Sequence, residues 1–326
     1  MRILVTGGAG YIGSITTRVL LDAGHECVVL DTLERGYAAA VDPRARLVVG
    51  SVGDRVALAE ALPGCDAVMH LAGYIEVAES VSDPLKYYRA NAIQPLIMLD
   101  EMVRHGVGAL AFSSTAAVYG EPESVPICED ARTLPVNPYG ASKLAFEEAL
   151  DGCHSKHGIR SIRFRYFNVA GAWPDGSMGE EHDPETHIIP RVLGALRSGQ
   201  ERFEVFGGDY ATADGTCVRD YIHVLDLAEA HRLGLEALLG GHGGGVYNLG
   251  NGQGYSNLEV VRTCADVAGK DVAIDIGPRR AGDPAVLVAS ADKARAELGW
   301  APRRGELGGI IGDAWRWHLA HPDGYR

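Results

Sequence analysis

Tyr139 and Lys143 stand four positions apart in "NPYGASK" (137–143), in a stretch typical of the start of an amphipathic helix. Side chains at positions i and i+4 share one helix face, so the Lys143 ammonium can lie beside the Tyr139 phenol. A positive charge there favours the phenolate and lowers a phenol pKa that is ordinarily about 10. The pair predicts either a tyrosine that acts as a base near neutral pH or an exposed helix face without chemistry.

A glycine loop at the start of the chain predicts a dinucleotide site. Gly7, Gly10 and Gly13 follow the first apolar run directly and precede a helical pattern in "LVTGGAGYIGS" (4–14). Such glycines allow a tight turn, a close approach to a pyrophosphate and close packing of helix on strand. Asp31 ends the second apolar run, where its carboxylate can accept hydrogen bonds from ribose hydroxyls and repel a 2′-phosphate. The expected cofactor is therefore NAD rather than NADP.

Apolar runs that alternate with helical patterns predict an α/β fold built on a doubly wound parallel (Rossmann) sheet. The predicted strands are 2–6, 26–31, 46–50, 66–72, 109–114 and 161–168, and the predicted helices are 12–23, 54–62, 84–104 and 139–157. We expect an NAD-binding domain at 1–167. A smaller mixed α/β domain is expected at 168–326, and the chain is expected to cross back to the first domain.

Composition excludes several classes of partner. The net charge of −13 and the pI of about 5.4 argue against a nucleic-acid partner, which needs clustered Lys and Arg. The six cysteines lie far apart, without Cys-x-x-Cys or a zinc-like His spacing, so no metal and reduced thiols are expected. Neither a signal-peptide pattern nor an apolar run of membrane-spanning length is visible, which predicts a cytoplasmic protein.

The chain resembles the extended short-chain dehydrogenase/reductase family in its glycine loop, "FSSTAAVYG" (112–120) and "NPYGASK". It is similar in particular to the UDP-glucose (UDP-galactose) 4-epimerases, through blocks spread along the whole chain. These blocks are "FRYFNVAGA" (164–172), "DGTCVRDYIHVLDLAEAH" (214–231), "YNLGNGQGYSNLEVV" (247–261) and "RRAGDPA" (279–285).

This resemblance implies a reaction and three catalytic residues. Tyr139 would remove the proton of the sugar 4-hydroxyl, Lys143 would assist it and hold the nicotinamide ribose, and Thr115 would bridge the sugar and the base. The hydride would pass from carbon four to NAD and return to the other face of the 4-keto sugar. NAD would thus be a resident cofactor and a UDP-sugar the substrate, which the domain at 168–326 would bind.

The resemblance also implies two sets of binding residues. The residues expected at the cofactor are Gly7, Gly10, Tyr11, Ile12, Gly13, Asp31, Val52, Leu71, Ala72, Gly73, Asn91, Ser113, Tyr139, Lys143 and Tyr166. Those expected at the substrate are Thr115, Asn168, Arg219, Tyr221, Arg280, Asp283 and Leu287. Leu287 stands where a bulky Tyr would restrict the space around the sugar 2-substituent, which gives the hypothesis that UDP-GlcNAc is also accepted. Relatives are commonly homodimers, and the helices at 84–104 and 139–157 are the candidates for the interface.

Alternative functions remain on the same scaffold. Sugar-nucleotide dehydratases and decarboxylases usually carry an acid just after the active-site Thr, whereas this chain has Ala116 and Ala117. A catalytically silent NAD-binding module would be expected to lack Tyr139 or Lys143. Two departures bear on the cofactor: Ser51 stands where the family usually has an Asp near the adenine, and Ile75 where some relatives have a cofactor-facing Lys.

Overall fold

The computed structural model describes residues 1–280 and 283–325. Its strands are short, and those of the central sheet are buried almost throughout. In chain order they are β1 (Arg2–Thr6), β2 (Glu26–Asp31), β3 (Arg46–Val49), β4 (Ala67–His70), β5 (Ala109–Thr115), β6 (Arg160–Tyr166), β7 (Asn168–Ala170), β8 (Arg202–Phe206), β9 (Val218–His223), β10 (Gly245–Leu249), β11 (Gly254–Ser256), β12 (Ala273–Gly277) and β13 (Val286–Leu287).

The helices alternate with these strands through the first half of the chain. They are α1 (Tyr11–Asp22), α2 (Arg55–Ala61), α3 (Val77–Ser82), α4 (Pro84–Tyr88), α5 (Gln94–His105), α6 (Pro138–His157), α7 (Ile188–Arg197), α8 (Val224–Leu239), α9 (Asn257–Ala268), α10 (Asp292–Leu298) and α11 (Leu307–Ala320). Within the described residues, no helix combines the length and the apolar character that a bilayer crossing requires.

A parallel sheet of seven strands forms the centre of the molecule, in the order β10-β6-β5-β4-β1-β2-β3. Successive residues of β1 alternate between its two faces: Ile3 and Val5 pack in one apolar core with Leu235 of α8, and Leu4 packs in another with Phe146 of α6. Helices therefore cover both faces. The strand order reverses between β1 and β4, and ligands of such sheets bind in the crevice at the carboxyl ends of the strands.

A second, smaller unit lies after β6. It contains a sheet of β11, β9 and β13 with β7 paired to β9, and a separate pair of β8 and β12. Apolar residues of α7, α9 and α11 form its core. The chain then returns to the central sheet, because β10 pairs with β6 in parallel. The boundary between 167 and 168 stays a prediction.

The predicted strands and helices are confirmed, with their ends within about two residues of the predicted ones. The stretch predicted at 84–104 is helical without interruption from 84 to 105, but it is not α-helical throughout. A π-helical turn at Arg89–Ile93 joins α4 to α5. Pro95 favours this turn because it has no N–H to bond the carbonyl four residues earlier. The π turn carries the buried Asn91, and such turns are frequent at functional sites.

Candidate active site

The glycine loop joins β1 to α1 in the tight turn that its spacing predicts. Gly7 has φ +72°, and a Cβ there would lie 2.6 Å from the backbone nitrogen of Ala72. A Cβ on Gly13 would lie 2.0 Å from the carbonyl oxygen of Gly7. Both positions therefore require glycine, and the loop lies directly against the end of β4.

The helix N-terminus behind this loop has the features of a pyrophosphate site. Gly10 is the N-cap of α1, and no described side chain caps that terminus, so its N–H groups remain available to an anion. Asp31, at the end of β2, accepts hydrogen bonds from the backbone nitrogens of Ala9 (3.0 Å) and Leu33 (2.9 Å). These bonds hold its carboxylate at the rim of the cavity, where a ribose would bind.

Tyr139 and Thr115 come from two elements that pack very closely. Asn137 caps α6 by accepting a hydrogen bond from the backbone nitrogen of Gly140 at 2.9 Å. A Cβ on Gly140 would lie 2.5 Å from the carbonyl oxygen of Ala117, so the start of α6 contacts the turn that follows β5. This contact brings the Tyr139 phenol near the hydroxyl of Thr115, which lowers the phenol pKa.

The expected lowering of the Tyr139 pKa by Lys143 is wrong for this structure. Burial of the phenol raises the pKa of Tyr139 to about 12; the Thr115 hydroxyl acts in the opposite direction, and the charge of Glu76 raises it further. Burial also lowers the pKa of Lys143 to about 8. Desolvation disfavours both charged forms and is the largest effect on each group.

Lys143 lies 2% exposed beneath the cavity. Its ammonium donates a hydrogen bond to the backbone carbonyl of Ser113 at 3.1 Å. A Cβ on Gly73 would lie 3.2 Å from Lys143 Nζ and 2.7 Å from Asn91 Oδ1, so only glycine fits between these groups. The Asn91 side chain accepts a hydrogen bond from the backbone nitrogen of Tyr74 and donates one to the backbone carbonyl of Tyr74, each at 3.0 Å. These two bonds fix the loop after β4.

Tyr166 lies at the end of β6, near Tyr139. Its hydroxyl hydrogen-bonds the hydroxyl of Ser113. Burial raises the pKa of Tyr166, the bond with Ser113 opposes that effect, and the nearby Tyr139 adds to it. The carboxyl ends of β5 and β6 therefore present three hydroxyl groups to the same space: Ser113, Thr115 and Tyr166.

The small sheet supplies the opposite wall of the cavity. Arg219 of β9 is 8% exposed, and its guanidinium lies 3.4 Å from a carboxylate oxygen of Asp283. Leu287 of β13 is the register partner of Arg219, and Asn168 lies on β7, which pairs with the later part of β9. A fixed cation, a carboxylate and an apolar side chain thus face the glycine loop.

One cavity of about 730 Å³ contains most of the predicted site. The predicted residues that line it are Gly7, Gly10, Tyr11, Ile12, Gly13, Asp31, Val52, Leu71, Ala72, Gly73, Ser113, Thr115, Tyr139, Lys143, Tyr166, Asn168, Arg219, Asp283 and Leu287. Asn91, Tyr221 and Arg280 are not among the lining residues. Asn91 lies behind Gly73, Tyr221 is buried in the core of the second unit, and exposed Arg280 lies over the Phe206 ring. Ala281 and Gly282 of the "RRAGDPA" block lie outside the described residues.

Several cavity residues were not predicted from the sequence. Glu76 accepts a hydrogen bond from the Tyr87 hydroxyl at 3.1 Å, and its charge acts on Tyr139. Glu180, His182 and His187 line the same cavity. Burial lowers the pKa of both histidines, but the nearby glutamates outweigh it and raise these values to about 9 and about 10. The alternation of Glu and His in "EEHDPETH" was the available signal for this group.

Known proteins resemble the chain over its full length. A profile of the NAD dependent epimerase/dehydratase family matches residues 3–250. The UDP-glucose 4-epimerase of Lacticaseibacillus casei is 46% identical over 327 residues, covering 100% of this chain and 99% of that protein.

Solved structures give the same result. A crystal structure of a UDP-glucose 4-epimerase has a TM-score of 0.97 at 45% identity and covers 100% of both chains. The UDP-glucose 4-epimerase of Bifidobacterium longum, solved in complex with NAD+ and UDP, has a TM-score of 0.93 at 36% identity, covering 99% of this chain and 100% of that one.

Proposed function

The chain belongs to the NAD dependent epimerase/dehydratase family, and we propose that Tyr139, Lys143 and Thr115 carry out its reaction. That reaction is the reversible 4-epimerisation of a UDP-hexose, with UDP-glucose and UDP-galactose as the pair of sugars. One observation carries the assignment: Tyr139, Lys143 and Thr115 line the same cavity as the glycine loop and Arg219.

The residues present fit NAD as the resident cofactor. The uncapped N-terminus of α1 would hold the pyrophosphate, Asp31 the adenosine ribose, and Lys143 the nicotinamide ribose. Ser51, in the place of the family's Asp, accepts a hydrogen bond from the backbone nitrogen of Gly53 at 3.1 Å and lines the cavity beside Val52. When bound, NAD supplies the acceptor and donor for the hydride of carbon four, so no net oxidation occurs.

Tyr139 would hold and return the proton of the sugar 4-hydroxyl. The neighbouring Thr115 hydroxyl favours the phenolate, and the ammonium of Lys143, one helical turn away, is the nearest cation on its own helix. Because the 4-keto sugar is planar, reduction from its other face inverts the configuration. The adjoining Ala116 and Ala117 line the cavity without an ionisable group, whereas elimination or decarboxylation would need a proton carrier there.

Arg219 and Asp283 would bind the UDP part of the substrate. The guanidinium of Arg219 can make paired hydrogen bonds to diphosphate oxygens, and the Asp283 carboxylate can accept hydrogen bonds from a ribose. Arg219 is positioned through the hydrogen bond from its guanidinium to the backbone carbonyl of Val218 at 2.9 Å. Arg280 and Tyr221 remain predicted contacts, although neither lines the cavity.

The test of this function uses purified protein without added nicotinamide cofactor. Incubation with UDP-galactose should yield UDP-glucose, and mass spectrometry of the small molecules released by denaturation should detect NAD. Inert protein that nevertheless contains stoichiometric NAD would contradict the epimerase assignment and favour a silent NAD-binding module.

We also propose a homodimer formed through α4 and α5. Large apolar side chains are exposed on this face, including Leu85 (71%), Ile93 (56%) and Leu96 (45%). A second copy of the chain would bury them and remove their contact with water. Light scattering should give about twice 34.7 kDa for the wild type and the single-chain mass for a Leu85→Glu, Leu96→Glu variant. A monomeric wild type would contradict the proposal.

A further inference from the structure

A group of two glutamates and two histidines lies in the segment before α7. Glu180, His182, Glu185 and His187 follow one another in the pattern E-x-H-x-x-E-x-H. One donor atom from each lies within 4.8 Å of the donor atoms of the other three. Among residues 1–280 and 283–325, this is the one such group of three or more potential metal ligands.

Each histidine of the group lies close to both carboxylates. His182 Nδ1 lies 3.2 Å from Glu180 Oε1 and 3.4 Å from Glu185 Oε2. His187 Nδ1 lies 3.1 Å from Glu180 Oε1 and 2.9 Å from Glu185 Oε1. Zinc bonds of 2.0 to 2.1 Å to nitrogen and oxygen give donor separations of about 3.3 to 3.4 Å in a tetrahedron. Because one donor atom from each residue lies within 4.8 Å of the others, side-chain movements alone would bring all four around a central cation.

His182 gives a second, independent indication. Its Nδ1 atom is buried and lies at ion-pair distance from the carboxylates of Glu180 and Glu185, but neither contact has the geometry of a hydrogen bond. A buried imidazole nitrogen without a hydrogen bond is costly, and a ligand placed between it and the carboxylates would satisfy it.

The charges of the group fit a divalent cation. Two carboxylates carry a charge of −2, which a divalent ion with two neutral imidazoles neutralises. Without the ion, the carboxylates pair with protonated histidines. Metal binding would therefore release the two imidazolium protons, one from His182 and one from His187.

We propose that Glu180, His182, Glu185 and His187 form a binding site for a zinc-type divalent cation. Four protein ligands close such a site, which is the arrangement of a structural rather than a catalytic metal. Its effect is to hold segment 180–187 in place against the cavity, since Glu180, His182 and His187 line that cavity. The proposal does not depend on the epimerase reaction.

The test uses full-length protein stripped of metal with a chelator and then exposed to zinc alone. Elemental analysis after gel filtration should find about one zinc per chain, and cobalt in its place should give the intense visible absorption of a tetrahedral site. His182→Ala and Glu185→Gln should each weaken zinc binding at least about 100-fold, because loss of even an outer-shell partner costs 10- to 100-fold.

Two control variants test whether zinc binds at a cysteine or histidine outside the group. Cys128→Ser removes the exposed thiol and His157→Ala an exposed histidine away from the group, and both should bind zinc like the wild type. Thermal melting without metal shows whether the ligand variants remain folded. Absence of stoichiometric binding, octahedral cobalt spectra, or loss of zinc with Cys128→Ser alone would overturn the proposal and leave only a group of ion pairs.

Discussion

Glu147 and Arg165 form a buried bidentate ion pair one helical turn beyond Lys143. Arg165 donates from Nε to Glu147 Oε1 at 3.0 Å and from Nη2 to Glu147 Oε2 at 2.6 Å, and the Ser114 hydroxyl donates to the same carboxylate. Their side chains are 7% and 3% exposed for Arg165 and Glu147 respectively. The pair ties α6, which carries Tyr139 and Lys143, to β5 and β6 at the point where those strands enter the cavity.

Glu147→Gln should destabilise the fold by about 3 to 5 kcal/mol, because it leaves the Arg165 charge buried without its partner. Urea unfolding measures this difference. Asp151→Asn is the matched control on the same helix: Asp151 is 65% exposed and pairs with Arg163, so its loss should cost at most about 1 kcal/mol. Equal effects of the two substitutions would contradict the role of the buried pair.

Tyr139→Phe should lower kcat by about 10²- to 10⁴-fold, the usual contribution of a positioned proton-transfer group. NAD content and UDP binding should stay near wild type, because the phenol oxygen is the only atom removed. Tyr255→Phe, in a depression bordered by Gln253 and Arg262, provides a control with the same chemical change. A nearly active Tyr139→Phe enzyme would refute the assigned base.

Glu76→Gln should lower the pH at which activity rises, because the Glu76 charge raises the pKa of Tyr139. Glu79→Gln is the control: Glu79 pairs with Lys86 at 2.7 Å. An unchanged pH profile would show that Glu76 does not act on the catalytic phenol.

Stability of NAD-free protein should rise with pH through the titration of Lys143. Its folded pKa of about 8 lies below the ordinary 10.5, so between these values the unfolded chain binds more protons than the folded one. The cost of burying the ammonium is present in full below pH 8 and disappears above 10.5. Relative to Lys143→Met, the wild type should gain about 1 to 2 kcal/mol between pH 7.5 and 9.5. If the free energies of unfolding of the two proteins changed equally with pH, the lowered pKa of Lys143 would be contradicted.

Leu287→Tyr should reduce turnover of UDP-GlcNAc by about 10- to 200-fold while largely sparing UDP-galactose, because the larger side chain occupies space beside Arg219. Val286→Tyr, on the other face of the same strand, controls for damage to β13. Equal rejection of UDP-GlcNAc by the wild type and Leu287→Tyr would end the hypothesis of a roomy sugar pocket.

Local patterns predicted the central sheet and the cofactor side of the cavity. Gly7, Asp31 and Tyr139 lie in short segments whose spacing and flanking runs specify both structure and chemistry. Contacts between residues from distant segments could not be predicted in this way. The Glu147–Arg165 pair joins α6 to β6, and no repeating spacing in the sequence indicates it. The prediction of a lowered Tyr139 pKa was also wrong, because desolvation depends on the packing around the phenol and not on its neighbours in sequence.

The return of β10 to the edge of the central sheet has a consequence for any truncated form of this chain. A fragment that stopped at residue 167 would carry most of the cofactor residues but would leave β6 with unpaired N–H and C=O groups along its outer side. Such an open edge is a template for intermolecular strand pairing. The two lobes are therefore interleaved, and the first would aggregate when produced without the second.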